Sequence, residues 1–244
     1  MTTLNEPARP AILVTGLSGN LGQHLAPHLA EHPLIGVDLF RPRVNHPRVE
    51  FYQLDLSQAD APDLMENILR ETQVKLVVHL AFVLDPTRTG ATDRRRQREI
   101  NIQGTANLLE AVERGNRAHP QVQFFLYLSS VTSYGPMLPG PVDEDYPQQP
   151  HTYTYALHKK ETDQLCRESF PRLNGCSVYI VRGHIFLGRN VDNFIVHSLR
   201  GSQPGGAGSG AGWRATAGNC PCSCRAAPTT TGSTSSCTLT TRRA

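Results

Sequence analysis

Tyr155 and Lys159 stand four residues apart in the segment YALHK, a spacing that puts both side chains on one face of a helix. A free tyrosine, with a pKa near 10, is a poor base at neutral pH. An ammonium beside it favours the phenolate, so that Tyr155 becomes an acid and base for an alcohol or ketone oxygen. With seven tyrosines and three lysines in the chain, such a pair arises by chance about one time in ten, and its context decides. That context is YLSSVTSYG, which brings Ser129, Ser130 and Thr132 to the end of an expected strand, the edge where open α/β sheets bind ligands. A serine hydroxyl there donates to the reacting oxygen and stabilises its charge as the carbon–oxygen bond order changes. Lys160 reads as solvated.

A second constellation supplies the partner for that chemistry. VTGLSGNLG places Gly16, Gly19 and Gly22 between an expected strand and helix, with Asn20 and Leu21 opening the helix. Glycine allows the tight turn, the approach of backbone to a pyrophosphate and close helix–sheet packing. Asp38, about twenty residues on, closes the second strand, where a carboxylate accepts hydrogen bonds from an adenosine ribose. It favours NAD over NADP by repelling a 2'-phosphate, an argument that Arg41 and Arg43 blunt. Asp55, at the end of the third strand in QLDLS, either meets the adenine edge or forms a turn. A bound nicotinamide, being positive, would also lower the pKa of Tyr155, and Lys159 can bind its ribose hydroxyls.

These residues need elements to hold them. Apolar and β-branched runs predict strands over Ala11 to Thr15, Leu34 to Asp38, Val49 to Leu54, Leu76 to Leu80, Phe124 to Leu128 and Ser177 to Arg182. Helical spacing predicts helices over Leu21 to Glu31, Asp63 to Glu71, Glu99 to Arg117 and Tyr155 to Ser169. Alternation of the two implies a doubly wound parallel sheet of α/β class covered by helices on both faces.

The motifs together resemble the extended branch of the short-chain dehydrogenase/reductase superfamily, the NAD-dependent epimerase/dehydratase family, and within it UDP-glucose 4-epimerase-like proteins. The resemblance covers about residues 10 to 200. It rests on TGLSGNLG, VVHLAF at Val77 to Phe82, NIQGTANLLEA at Asn101 to Ala111, LSSVTSYG and YALHK, with a VHLAF-x-LDP stretch at Val78 to Pro86. It implies a Rossmann-type sheet, NAD as cofactor, and Ser130, Tyr155 and Lys159 as the catalytic set. Gly16, Gly19, Asn20, Leu21, Gly22, Asp38, Asp55 and Leu56 fall at the cofactor positions, Leu80 and Ala81 under the adenosine, and Asn101 in the helix behind the nicotinamide. It implies transient oxidation of a nucleotide sugar at C4 on bound NAD. An NAD(P)-dependent alcohol dehydrogenase or ketone reductase would use the same residues, and a dinucleotide-binding module without turnover is the third reading. Sugar 4,6-dehydratases follow the catalytic serine or threonine with Asp-Glu. Ser130 is followed by Val131 and Thr132, which disfavours that reaction.

Two departures stand out. Gly183 follows Arg182 where the family commonly has proline, and the family's small carboxyl-terminal substrate domain has no counterpart in the sequence. Residues 201 to 244 contain no Asp, Glu, Ile, Val, Phe, Tyr, Met, Lys or His, one leucine (Leu239) and one tryptophan (Trp213). Such a segment cannot bury enough apolar surface to order itself; it reads as a disordered low-complexity tail, of the kind a lost reading frame near Arg200 would produce. Residues 1 to 9 read as a flexible start, and 10 to 200 as the cofactor domain.

Composition narrows the function classes. The tail holds Arg214, Arg225, Arg242 and Arg243 and no acid, so the net charge of +3 leaves the first 200 residues at −1. No nucleic-acid binding is expected, since the one basic run in the body, Arg94, Arg95, Arg96 and Arg98, reads as a solvated helix face. No apolar run reaches the eighteen or so residues of a membrane span, and MTTLNEPARP has no basic, apolar and small-residue sequence of an export signal, so a cytoplasmic location is expected. Cys166 and Cys176 read as thiols. The C-x-C-x-C of Cys220, Cys222 and Cys224 lacks accompanying histidine or acid, so no metal is expected. The resemblance implies a homodimer through the helices of 99 to 117 and 155 to 169, and the acidic loop of Asp143, Glu144 and Asp145 reads as either near the substrate or solvated.

Overall fold

The structure is a computed structural model that describes residues 9–84 and 93–188; Asp85 and Pro86 of the VHLAF-x-LDP stretch, the start and the low-complexity tail lie outside them. Six strands, β1 (Ala11–Thr15), β2 (Leu34–Asp38), β3 (Val49–Gln53), β4 (Val74–His79), β5 (Phe124–Ser130) and β6 (Ser177–Gly183), form one parallel sheet in the order β3-β2-β1-β4-β5-β6. The order reverses between β1 and β4, and the crevice beyond the carboxyl ends of those strands is where such sheets bind ligands.

Central strands are apolar on both faces because helices cover both. All five side chains of β1 are buried, and alternation sends Leu13 to one face and Ile12 and Val14 to the other. Leu13 joins Val77, Phe125 and Tyr127 beneath α2 (Ala61–Thr72), α4 (Gly104–Ala118) and α5 (Thr154–Ser169), which contribute Met65, Leu108, Val112 and Cys166. Ile12 and Val14 join Leu17, Leu34 and Val78 beneath α1 (Asn20–Leu25). Met65, Ile68 and Leu69 of α2 are buried at helical spacing. Most apolar residues of α4 and α5 pack into the protomer's own core, while Leu157 of α5 is exposed. Among the described residues, Phe124, Tyr179 and Val181 remain exposed on β5 and β6.

Several expected boundaries moved for local reasons. The helix expected to run to Glu31 ends at Leu25 and continues as a 3-10 turn, Ala26–Leu29, because Pro27 lacks the amide for an α-helical bond. The one expected from Glu99 starts earlier, as α3 (Arg94–Arg98), with Asp93 accepting from the Arg95 amide as its cap. A π-helical turn, Glu99–Gln103, joins it to α4. β3 stops at Gln53, so Asp55 lies two residues beyond its end.

Hydrogen bonds from the sheet hold the π turn. His79, buried on β4, bonds the Thr15 hydroxyl through Nδ1 at 2.7 Å and the Thr105 hydroxyl through Nε2 at 3.0 Å. Thr105 donates onward to the Asn101 carbonyl at 2.6 Å, so Nε2 carries the ring proton and Nδ1 accepts. Burial and the Lys159 charge push the His79 pKa down to about 3. The unfolded chain therefore binds one more proton between that value and about 6.5, and stability falls as pH drops through this window. Urea unfolding is expected to show a loss of about 2 kcal/mol between pH 6.5 and 4.5 that His79→Asn largely abolishes; an unchanged acid slope in the variant would refute the assignment.

Candidate functional site

The turn after β1 builds the floor of a cleft of about 530 Å³. Gly16 sits at φ 73°, and a Cβ there would stand 2.6 Å from the Ala81 amide nitrogen, so only glycine lets the turn meet the end of β4. A Cβ on Gly22 would meet the Gly16 carbonyl oxygen at 2.6 Å, which makes Gly22 the close-packing glycine behind the cleft. Gly16→Val is expected to destabilise the fold by about 1–3 kcal/mol and to abolish dinucleotide binding. Calorimetry on the folded fraction checks this, and wild-type affinity in the variant would refute it.

Of the cofactor residues expected from sequence, Gly16, Gly19, Asn20, Asp38, Asp55, Leu56, Leu80 and Ala81 line this cleft, whereas Leu21, Gly22, Asn101, Tyr155 and Lys159 do not. Asp38 Oδ2 accepts from the Ser18 amide at 2.8 Å and Oδ1 from the Leu39 amide at 2.7 Å. Each oxygen keeps a lone pair for a ribose hydroxyl. Arg41 and Arg43 are exposed and absent from the lining. Asp55 is a turn former: Oδ1 accepts from the amide and hydroxyl of Ser57, Oδ2 from Gln58 and from the half-buried Arg96. Bonds from Ser57, Gln58 and Arg96 outweigh burial and lower its pKa. Arg96 is thereby withdrawn from the solvated face expected of the basic run; Arg94, Arg95 and Arg98 stay exposed.

Ser130 ends β5, in register with Gly183 of β6, and Tyr155 is the second residue of α5. The Ser130 hydroxyl faces the Tyr155 phenol and lowers its pKa, and it accepts from the Thr132 hydroxyl at 2.9 Å. Ser129 is buried, with its hydroxyl lacking a partner among the described residues. The stripe of α5 that faces the core includes Lys159, Thr162 and Asp163, where a helix made only for packing would carry apolar side chains. Lys159 Nζ donates to the Leu128 carbonyl at 2.6 Å and lies 3.5 Å above the Phe82 ring. Burial draws its pKa down to about 7.

Burial raises the Tyr155 pKa, against the Ser130 bond that lowers it; the Lys159 ammonium, expected to lower it, is turned to Phe82, 5.7 Å from the Tyr155 ring centre. Asn101, expected behind the nicotinamide, is a clamp: its side chain bonds the amide and carbonyl of Val83 and His158 Nδ1. The acidic loop is held through its backbone, with the Asp143 and Glu144 carbonyls accepting from Tyr134 and Arg182, and its three acids are exposed. Sequence reasoning passed over Phe82, Phe40 and Ser18 in the lining, although Phe82 closes the VVHLAF motif. Among the described residues no cluster could hold a metal ion, and no helix is long and apolar enough to cross a membrane.

The family model for the NAD dependent epimerase/dehydratase family matches residues 12–202. The chain is 30% identical over 194 residues to a GDP-6-deoxy-D-mannose reductase of Pseudomonas aeruginosa, covering 77% of this chain and 56% of that protein. It is 27% identical over 179 residues to a UDP-glucose 4-epimerase of Drosophila melanogaster, covering 66% and 49%. The structure of a UDP-glucuronic acid 4-epimerase from Bacillus cereus in complex with NAD superposes with a TM-score of 0.57 at 25% identity, covering 71% of this chain and 56% of that one. The chain thus spans about half the length of these relatives.

Proposed function

The chain belongs to the NAD dependent epimerase/dehydratase family, and from that premise we propose that residues 10 to 200 bind NAD and invert a hydroxyl-bearing carbon of a nucleotide sugar, at C4. The observation that carries the reading is the convergence of the glycine cleft and the Ser130–Tyr155 pair at the carboxyl edge of one sheet. The cleft suits the cofactor: the backbone at Gly16 leaves no room for a side chain, no side chain caps α1, and Asp38 offers free lone pairs. Gly16, Gly19 and Asn20 would hold the pyrophosphate, Asp38 the adenosine ribose, and Leu56, Leu80 and Ala81 the adenine side.

Bound NAD supplies a hydride acceptor and, in return, a donor. Tyr155 takes the proton of the sugar hydroxyl as the carbon flattens to a carbonyl, and returns it after the centre has been re-formed from its other face. Ser130 donates to the same oxygen, while its own lone pairs accept from the Thr132 amide and hydroxyl. The Lys159 ammonium favours the phenolate once it leaves its aromatic seat.

Incubation with UDP-glucose, UDP-glucuronic acid or a dTDP-hexose and substoichiometric NAD, followed by proton NMR, tests the proposal. C4 inversion without net reduction of NAD is expected. Stoichiometric consumption of added NADH or NADPH would assign a reductase, as in the Pseudomonas relative's name, and NAD binding without either reaction would leave a dinucleotide-binding module.

A further inference from the structure

Phe82 follows the end of β4 by three residues and meets both halves of the site. Its ring lies under the Lys159 ammonium, 3.5 Å from nitrogen to ring centre, and stands edge-on to Tyr155 at 87° with centres 5.5 Å apart. It also lines the cleft, whereas Ser130, Tyr155 and Lys159 do not. The ammonium has the Leu128 carbonyl on one side and the Tyr127 ring, at 4.8 Å, on another. The aromatic ring therefore divides the dinucleotide cleft from the acid/base pair and occupies the face of Lys159 that would serve a ribose or a phenolate.

We propose that Phe82 is a positioning residue that works as a swinging partition: its ring seats Lys159 in the free protein, and turns aside as NAD fills the cleft, releasing the ammonium to the cofactor ribose and Tyr155. The inference rests on the NAD reading above.

A proton accompanies the movement. In its dry seat Lys159 has a pKa of about 7. The groups facing it are Tyr155, Asp163 and Cys166 on its own helix, His79 on β4 and Tyr127 on β5. Burial holds His79, Cys166 and Tyr127 neutral, and Asp163, the one acid, is paired with Arg182. Moved to ribose hydroxyls beside a Tyr155 that is still protonated in the absence of substrate, the ammonium regains hydrogen-bond acceptors, so its pKa rises and binding takes up a proton above pH 7.

Calorimetric titration of NAD into the 244-residue chain near pH 8, in buffers of different ionisation enthalpy, counts that proton. The wild type is expected to take up most of one proton, and Lys159→Met none. Phe82→Ala opens the seat to water and keeps Lys159 charged beforehand, so uptake falls several-fold and affinity rises. Phe82→Leu keeps the seat dry and retains the uptake, and serves also if the alanine variant fails to fold. Equal uptake by wild type and Phe82→Ala, or none by the wild type, overturns the partition while leaving NAD binding intact; absence of NAD binding by the folded wild type overturns the NAD reading itself.

Discussion

For the proposed epimerisation, Tyr155→Phe is expected to cut turnover about 10²- to 10⁴-fold, the span one positioned acid/base group commonly supplies, with the NAD dissociation constant unchanged within about threefold. Phenylalanine keeps the ring contacts with Phe82 and Tyr153 and removes only the phenol oxygen whose pKa Ser130 lowers. Burial raises the phenol's pKa in the free protein, so its basicity has to be created by positive charge brought beside it. Turnover should accordingly fall at low pH in the wild type as the phenolate is lost, and the residual rate of the variant should lose that dependence. Rates and NAD affinities measured on the same preparations check the split; a loss below tenfold would remove Tyr155 from the chemistry.

Arg182→Met is expected to cost about 3–5 kcal/mol of stability, the loss typical of a buried ion pair deprived of one partner. Asp163 on α5 is fully buried. Its Oδ2 accepts from Arg182 Nε at 2.7 Å and from Gln148 Nε2 at 2.6 Å, and Oδ1 has no hydrogen-bond partner among the described residues. Without Arg182 the carboxylate must stay charged in a dry site or take a proton, and either raises the free energy of the fold. Arg182 also donates to the Tyr134 hydroxyl at 2.7 Å and to the Glu144 carbonyl at 3.0 Å, which ties the loop before α5 to β6. A solvent-facing pair such as Arg95 and Glu99 is worth about 0–1 kcal/mol by contrast. The double variant Asp163→Asn with Arg182→Met is expected to recover part of the loss. Urea denaturation measures both, and a single-variant change under about 1 kcal/mol would contradict the assignment.

Much of the fold was legible because its signals are local. β1 and β2 are apolar or β-branched runs closed by glycine or aspartate, and the structure returns them at the expected residues. The glycine turn was readable for the same reason: a backbone that must approach Ala81 admits no Cβ. The end of α1 was misjudged with Pro27 in view, because the hydrophobic spacing continues past it into the 3-10 turn. The π turn had no local signal. It depends on bonds from His79, through Thr105, to the Asn101 carbonyl, and residues 22 or more positions apart do not announce such a link. The state of the site was hidden likewise. Tyr155 and Lys159 share a helix face as their spacing requires, but whether the ammonium favours the phenolate depends on Phe82, 73 positions before Tyr155, and on burial that only the packed sheet creates.

We propose that the cleft lined by Gly16 and Asp38 is a working NAD site in this chain. Calorimetric titration of NAD into wild type and Asp38→Ala tests it most directly. Saturable binding at one site is predicted, weakened about tenfold or more by Asp38→Ala through loss of charge-assisted hydrogen bonds to the ribose. A folded wild-type chain that takes up no NAD, or binds it as well without Asp38, would contradict the account.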